Sequence, residues 1–299
     1  MQVGLIGVGK MGGGILRRWQ KANHEVVAHD PGPDAGAVIT DAGGTVADSV
    51  AELVQSLTAP RVIWLMVPAG DAVSETIQEL AKQLDPGDTV IDGGNSQFRH
   101  SVQNAQRLGK RDIHFIDVGV SGGVAGEEIG YALMVGADAK HLASVQALLD
   151  DLAADDAFAH VGPVGAGHYV KMIHNAVEYG MMQSIGEGFD LLKNGSYDDL
   201  DLEKIARLWS KGTIIRSFLI ELAHKALAND SDLADIAGYV DDNGEGRWSV
   251  KEAVDNAVPF SVNTAALYAR FESRLPDTFS AKLIAALRNE FGGHKVKKK

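Results

Sequence analysis

Lys171, His174, Asn175 and Glu178 stand at spacings i, i+3, i+4 and i+7. In a helix all four project from one face over two turns. A lysine can take a proton and then, as a cation, stabilise an oxyanion, while a glutamate can return a proton elsewhere. The stripe is a candidate proton-transfer site with Lys171 and Glu178 as its reactive groups. Val170, Ile173 and Val177 are the apolar positions expected to pack. Taken singly, Lys171 and Glu178 also fit ordinary solvated charges, and a lone histidine on a helix is more often structural. The meaning of the stripe therefore depends on what surrounds it.

The elements that must position it divide into two kinds. Strand patterns cover residues 2–7, 25–29, 62–67, 89–92, 114–118 and 131–135, with helical patterns over 11–21 and 72–84. Alternation of this kind predicts βαβ units and a mainly parallel sheet. Beyond about residue 167 the pattern becomes helical, over 169–192, 202–209, 214–227, 250–258, 263–274 and 280–291. The expected fold is α/β: an N-terminal Rossmann-type doubly wound sheet in residues 1–164, followed by an all-helical C-terminal domain in residues 165–299. Gly162, Gly165 and Gly167 mark the boundary. A chain of 299 residues is long enough for two such domains.

Composition narrows the chemistry. The chain has no cysteine, which excludes disulfides, thiol catalysis and thiolate metal sites. Its formal charge of −12 argues against nucleic-acid binding, which needs a basic surface. Residues 61–70 hold the most apolar run, too short to span a bilayer. The N-terminus leads straight into a strand pattern with no basic, cleavable leader, so a cytoplasmic location is expected. An anionic substrate would need cations gathered locally from a basic minority.

Gly7-Val8-Gly9-Lys10-Met11-Gly12 follows the first strand and opens the first helix. A G-x-G-x-x-G alone is weak evidence, but this placement fits a dinucleotide. Gly7 permits the turn, Gly9 lets backbone approach a pyrophosphate at the helix N-terminus, and Gly12 allows close helix–strand packing. Asp30 ends the second strand, where a carboxylate would accept from a ribose 2′-hydroxyl and repel the 2′-phosphate of NADP, so NAD is favoured over NADP. Asp30-Pro31-Gly32 is also good turn chemistry.

Five separated segments resemble the decarboxylating 6-phosphogluconate dehydrogenases in their shorter-chain form. They are the N-terminal fingerprint; Ile91-Asp92-Gly93-Gly94-Asn95-Ser96; Gly119-Val120-Ser121-Gly122-Gly123; Gly167-His168-Tyr169-Val170-Lys171-Met172-Ile173-His174-Asn175 through Glu178-Tyr179-Gly180; and Phe291-Gly292-Gly293-His294. The fourth is the most specific. The resemblance implies that Lys171 removes the C3 hydroxyl proton as hydride leaves C3 for NAD, then polarises the ketone during decarboxylation. Glu178 would protonate C1 of the enediol, and no metal is needed. It assigns Gly7, Gly9, Met11, Gly12, Asp30, Val67 and Asn95 to the cofactor. Asn95, Ser121, Gly122, Gly123, His174, Asn175, Tyr179 and Arg270 go to a phosphorylated sugar acid, with Arg288 and His294 reaching into a neighbouring subunit's site.

Three positions depart from the longer members of that family. Asn243 and Glu245 stand where those carry Lys and Thr, which removes a cation, with Arg247 the candidate to compensate. Pro68 replaces a lysine, and Val124-Ala125-Gly126 replaces an acidic pair. Because the longer enzymes have about twice this helical domain, two chains are expected to interlock as a homodimer or a dimer of dimers with shared sites. The alternatives are another β-hydroxyacid dehydrogenase, such as one acting on 3-hydroxyisobutyrate, and a catalytically silent NAD-binding protein.

Overall fold

The computed structural model describes residues 1–298. The chain separates into two compact units, one of Met1–His174 and one from Asn175 onward. The division falls within the long helix Ala166–Asn194 rather than before it.

The first unit is built on eight strands: β1 (Gln2–Ile6), β2 (Glu25–His29), β3 (Thr45–Val46), β4 (Val62–Leu65), β5 (Thr89–Asp92), β6 (His114–Ser121), β7 (Tyr131–Gly136) and β8 (Ala153–Gly162). They form one sheet in the order β3-β2-β1-β4-β5-β6-β7-β8. Every pairing is parallel except β6 with β7. All residues of β4 and β5 are buried, as expected of central strands covered on both faces. Alternate residues serve opposite layers. Leu5 and Trp64 join Trp19 and Tyr131 on one side, while Ile63 and Leu65 join Ile77 and Leu80 on the other. The sheet grows outward in both directions from the neighbouring β1 and β4, so a crevice opens at their carboxyl ends.

Two strands escape the sequence pattern. β3 is two exposed residues, too short for alternation to register. β8 is a polar edge strand whose burial follows no two-residue period. The inner strands 2–6, 25–29 and 89–92 match their expected positions within a residue.

The second unit holds the rest of the long helix and the helices Leu202–Trp209, Phe218–Asn229, Glu245–Asp255, Ser261–Glu272 and Phe279–Gly292. Three start where a side chain accepts from the third residue on: Asp201 from Lys204 N–H, Ser217 from Ile220 N–H and Thr278 from Ala281 N–H. Tyr179, Ala266 and Leu267 form a small core with Met182, Val250 and Phe271 around it. The helix Phe279–Gly292 buries none of its residues. Among the described residues no helix is long and apolar enough to cross a membrane.

The packing face of the long helix corrects an expectation. Met172, Ala176 and Tyr179 are buried, whereas Val170 and Val177 are exposed. The buried stripe also includes Lys171 and Asn175, so this helix hides polar groups where a simple amphipathic pattern would place valines.

Candidate active site

The crevice at the end of β1 begins with Gly7, at φ +96°, whose N–H donates to His29 O at 2.9 Å. A Cβ on Gly12 would lie 2.0 Å from Gly7 O, so helix and turn touch backbone to backbone. Gly9 faces open space, leaving room for a ligand against the chain. It caps the helix Lys10–Lys21, whose first turn carries no acidic residue and no side-chain cap, so its amides suit a pyrophosphate. Met11 and Val67 flank the crevice, half-buried. Asp30 shapes this loop itself: Oδ2 accepts from Val8 N–H and Oδ1 from Gly32 N–H, both at 2.8 Å. A carboxylate offers about four acceptor sites, so capacity for a ribose hydroxyl remains. These residues fit a dinucleotide.

Asn95 sits at φ +54° just after β5. Its amide pairs with the backbone of Val120, donating to the carbonyl at 3.2 Å and accepting from the N–H at 3.0 Å. That ties the Asn95 loop to the strand ending in Ser121. Gly122 and Gly123 then turn the chain with positive φ. Ser121 Oγ lies 3.4 Å from His174 Nε2, and Lys171 Nζ lies 3.5 Å from His174 Nδ1. His174 thus stands between the hydroxyl and the amine. Lys171 is only 5% exposed.

Beneath these groups lies a polar cluster that the sequence analysis did not single out. Asp117 accepts from Gly165 N–H at 2.6 Å and from His168 N–H at 2.8 Å, while His168 Nδ1 is 2.8 Å from Ser101 Oγ. Burial pushes the Asp117 carboxyl up, only partly countered by His168 and the two N–H bonds. The available signal was an aspartate inside the apolar run Ile116-Asp117-Val118, which a central strand rarely tolerates without purpose.

In the helical unit, Asn175 donates to Glu245 Oε2, which also accepts from Asn243 Nδ2 at 2.6 Å. Tyr179 Oη donates to Asn243 Oδ1 at 2.8 Å, and burial pushes its phenol up. The Arg270 guanidinium lies 3.6 Å above the Tyr179 ring. Glu178 is half-buried on the same helix. Arg288 and His294 are exposed, at the end of the last helix and just beyond it. Arg247, the candidate compensating cation, is engaged by a carboxylate in this structure. It binds Asp242 through two nitrogens at 2.6 and 3.0 Å, and Arg274 binds the same carboxylate at 2.9 Å. Among the described residues no cluster of three potential metal ligands occurs.

Comparison with known proteins places the chain in a family. The family model described as the NAD binding domain of 6-phosphogluconate dehydrogenase matches residues 2–165, and the 6-phosphogluconate dehydrogenase C-terminal domain matches residues 167–278. The chain is 46% identical to an NAD(+)-dependent, decarboxylating 6-phosphogluconate dehydrogenase of Haloferax volcanii, covering 100% of this chain and 99% of the relative. A solved 6-phosphogluconate dehydrogenase of Plasmodium falciparum superposes with a TM-score of 0.85 at 28% identity, over 100% of this chain and 66% of that one. A Mycobacterium tuberculosis 3-hydroxyisobutyrate dehydrogenase shares the fold, with a TM-score of 0.71 at 21% identity, covering 96% and 99% of the two chains.

The Asp242 cluster makes a testable prediction. Arg247, then Arg274, hold the Asp242 carboxyl down at about 2. A depressed carboxylate pKa gives stability that is present above the unfolded value near 3.8 and lost as pH falls through about 2. In urea unfolding, Asp242→Asn should therefore be less stable than the parent at pH 5, and the gap should narrow from about pH 4 towards pH 2. Equal midpoints at pH 5 would show that the ion pairs contribute nothing.

Proposed function

The chain belongs to the 6-phosphogluconate dehydrogenase family, and from that premise we propose that it oxidatively decarboxylates 6-phosphogluconate to ribulose 5-phosphate and carbon dioxide, with reduction of NAD. The observation that carries this reading is Lys171, buried at the end of β6 within reach of His174 and Ser121. A surface lysine has no such setting.

NAD, when bound, supplies the hydride acceptor. Lys171 takes the proton of the C3 hydroxyl as C3 is oxidised. The resulting 3-keto acid loses carbon dioxide, and the lysinium stabilises the enolate oxygen that develops. Glu178, on the same uninterrupted helix, gives a proton to C1 of the enediol. Ser121, Gly122 and Gly123 receive the substrate carboxylate, Asn95 and His174 its hydroxyls, and Asn175 the sugar chain. Arg270 and Tyr179 hold the phosphate, joined by Arg288 and His294 from a second chain. Residues 1–164 thereby hold the dinucleotide and supply Asn95 and Ser121–Gly123 for the substrate, and residues 165–299 supply the remaining substrate contacts. Both reactants are polar metabolites that do not cross membranes unaided, which supports a cytoplasmic location.

Two sequence features separate this reading from its rivals. A 3-hydroxyisobutyrate-like acid has no phosphate to need Arg270, Arg288 and His294, and a silent NAD binder needs neither Lys171 nor Glu178. The purified protein is expected to reduce NAD and release carbon dioxide in equal amounts with 6-phosphogluconate. Lys171→Ala should lower turnover at least about a thousandfold with NAD affinity kept, as for removal of a general base. Glu178→Ala should slow formation of the final product. Near-normal turnover by the Lys171 variant would remove the mechanism.

Cofactor choice is tested with Asp30→Asn, which removes the charge and keeps an acceptor for one of the two loop amides that Asp30 binds. The ratio of NADP to NAD efficiency should rise about tenfold or more; an unchanged ratio would leave Asp30 as a turn residue alone.

The dimer is part of the same proposal. Phe279, Leu283, Leu287 and Phe291 recur every four residues on a helix that buries nothing, and all four are exposed in the single chain. A second copy covering this stripe would also bring Arg288 to the neighbouring site. Light scattering should give a dimer or a multiple of it for the parent, whereas Leu283→Glu with Leu287→Glu should give a monomer with little turnover. A monomeric, fully active parent would rule the shared site out.

A further inference from the structure

β6 presents Asp117, Gly119 and Ser121 on one face, since side chains alternate along a strand. Each meets the long helix at a step of three residues. Asp117 binds the N–H groups of Gly165 and His168 at 2.6 and 2.8 Å. Gly119 faces Lys171: a Cβ built there would lie 2.4 Å from Lys171 Cβ and 2.9 Å from Gly167 O. Ser121 Oγ lies 3.4 Å from His174 Nε2. Three helical residues advance about 4.5 Å, two strand residues about 6.6 Å, so the match can hold only over this short span. That span contains Lys171.

We propose that this face of β6 is a ruler for the helix, with Asp117 and Gly119 acting as positioning residues that set the register and depth of the Lys171 amine. Asp117 fixes the register, because its two carboxylate oxygens take the amide of Gly165, just before the helix, and that of His168 in its first turn, which opposes sliding and rotation. Gly119 fixes the depth, because the missing side chain is what allows Lys171 Cβ to come up against the strand. Further support comes from the energetics of Asp117. Burial, and Asp92 opposite it on β5, push its carboxyl up, against the pull of His168 and the two amides. A group whose ionised form is disfavoured by the fold is better explained by geometry than by stability.

The inference rests on Lys171 as the base, and its test uses the full chain with two separate readouts. Gly119→Ala forces the helix to shift by a fraction of an ångström to about one, so kcat should fall about a hundredfold while the NAD dissociation constant stays within twofold. A pulse of acetic anhydride read by peptide mass spectrometry should change the acetylation rate of Lys171 at least about threefold, leaving exposed lysines unaltered. Asp117→Asn keeps the volume but turns an amide donor towards one of the helix N–H groups. It should lower kcat about tenfold with NAD affinity kept, and it decides the matter on the same criteria should Gly119→Ala not fold. Turnover within threefold of the parent would overturn the proposal, as would a loss of kcat matched by an equal loss of NAD affinity, which is the mark of a merely structural role. Should the parent itself not turn over 6-phosphogluconate, the functional reading fails separately. The labelling still decides the positioning: an altered Lys171 rate supports it and an unaltered rate overturns it.

Discussion

The chemistry proposed for this molecule depends on where the Lys171 amine is held, and close packing of the long helix against β6 is the constraint that holds it. The side chain is enclosed by close backbone packing at Gly119, and its nitrogen faces the imidazole of His174, which in turn faces Ser121. A helix with its buried stripe made of Lys171, Met172, Asn175, Ala176 and Tyr179 is a poor amphipathic helix but a good carrier for such a group.

The same requirement explains what could be read from the sequence and what could not. Central strands such as Val62–Leu65 are legible because burial on both faces demands an unbroken apolar run. The glycine fingerprint is legible because its spacing is dictated by contacts as close as Gly12 against Gly7 O. The polar stripe of the long helix was legible as spacing. Its packing face was not: Val170, Ile173 and Val177 have the periodicity of a packing stripe, yet Val170 and Val177 are exposed and Ile173 is only half-buried. Periodicity reports where apolar residues recur, and a helix that must hide a lysine and an asparagine breaks the assumption behind it. Asp117 escaped for a related reason. Its partners are backbone amides of Gly165 and His168, and no residue type advertises a backbone donor. The polar edge strand Ala153–Gly162 and the two-residue Thr45–Val46 are held by ladder bonds to neighbours rather than by burial, so their side chains carry little record of them.

The loop before Glu245–Asp255 shows how a local exchange of charge is absorbed. Where the longer enzymes resembled by this chain carry Lys and Thr, Asn243 and Glu245 stand here. Glu245 is buried at 4% exposure, yet it is not a lone charge, because the amides of Asn175 and Asn243 both donate to it. Carboxylates accept but do not donate when ionised, so Glu245 also settles which way the Asn175 amide points: its nitrogen faces inward, to the carboxylate. Asn243 continues the chain of bonds to the Tyr179 hydroxyl. The substitution therefore trades a cation for a network that orients one asparagine and one tyrosine. Both belong to the helix that carries Lys171 and Glu178.

On the proposed reading, that trade leaves a substrate phosphate to be held by fewer cations in a protein of net charge −12. Overall charge is a weak obstacle at close range, because screening confines bulk charges to about 8 Å at physiological ionic strength. What matters is which cations near the site are already committed. Arg247 and Arg274 share Asp242, whose carboxyl stays ionised down to about 2, and Arg274 also lies 3.7 Å from Asp241, so two carboxylates face these two cations. Arg270 is placed differently. One nitrogen donates to the carbonyl of Asp241, a neutral acceptor, and the guanidinium plane rests on Tyr179. Stacking of that kind orients the fork without neutralising it, so the remaining donors present a full positive charge in a fixed direction. A planar, fixed cation suits bidentate capture of a phosphate better than a flexible lysine would. The residue that holds Arg270 flat is Tyr179, one helical position beyond Glu178, so the groups proposed for phosphate binding and for proton transfer lie on the same turn.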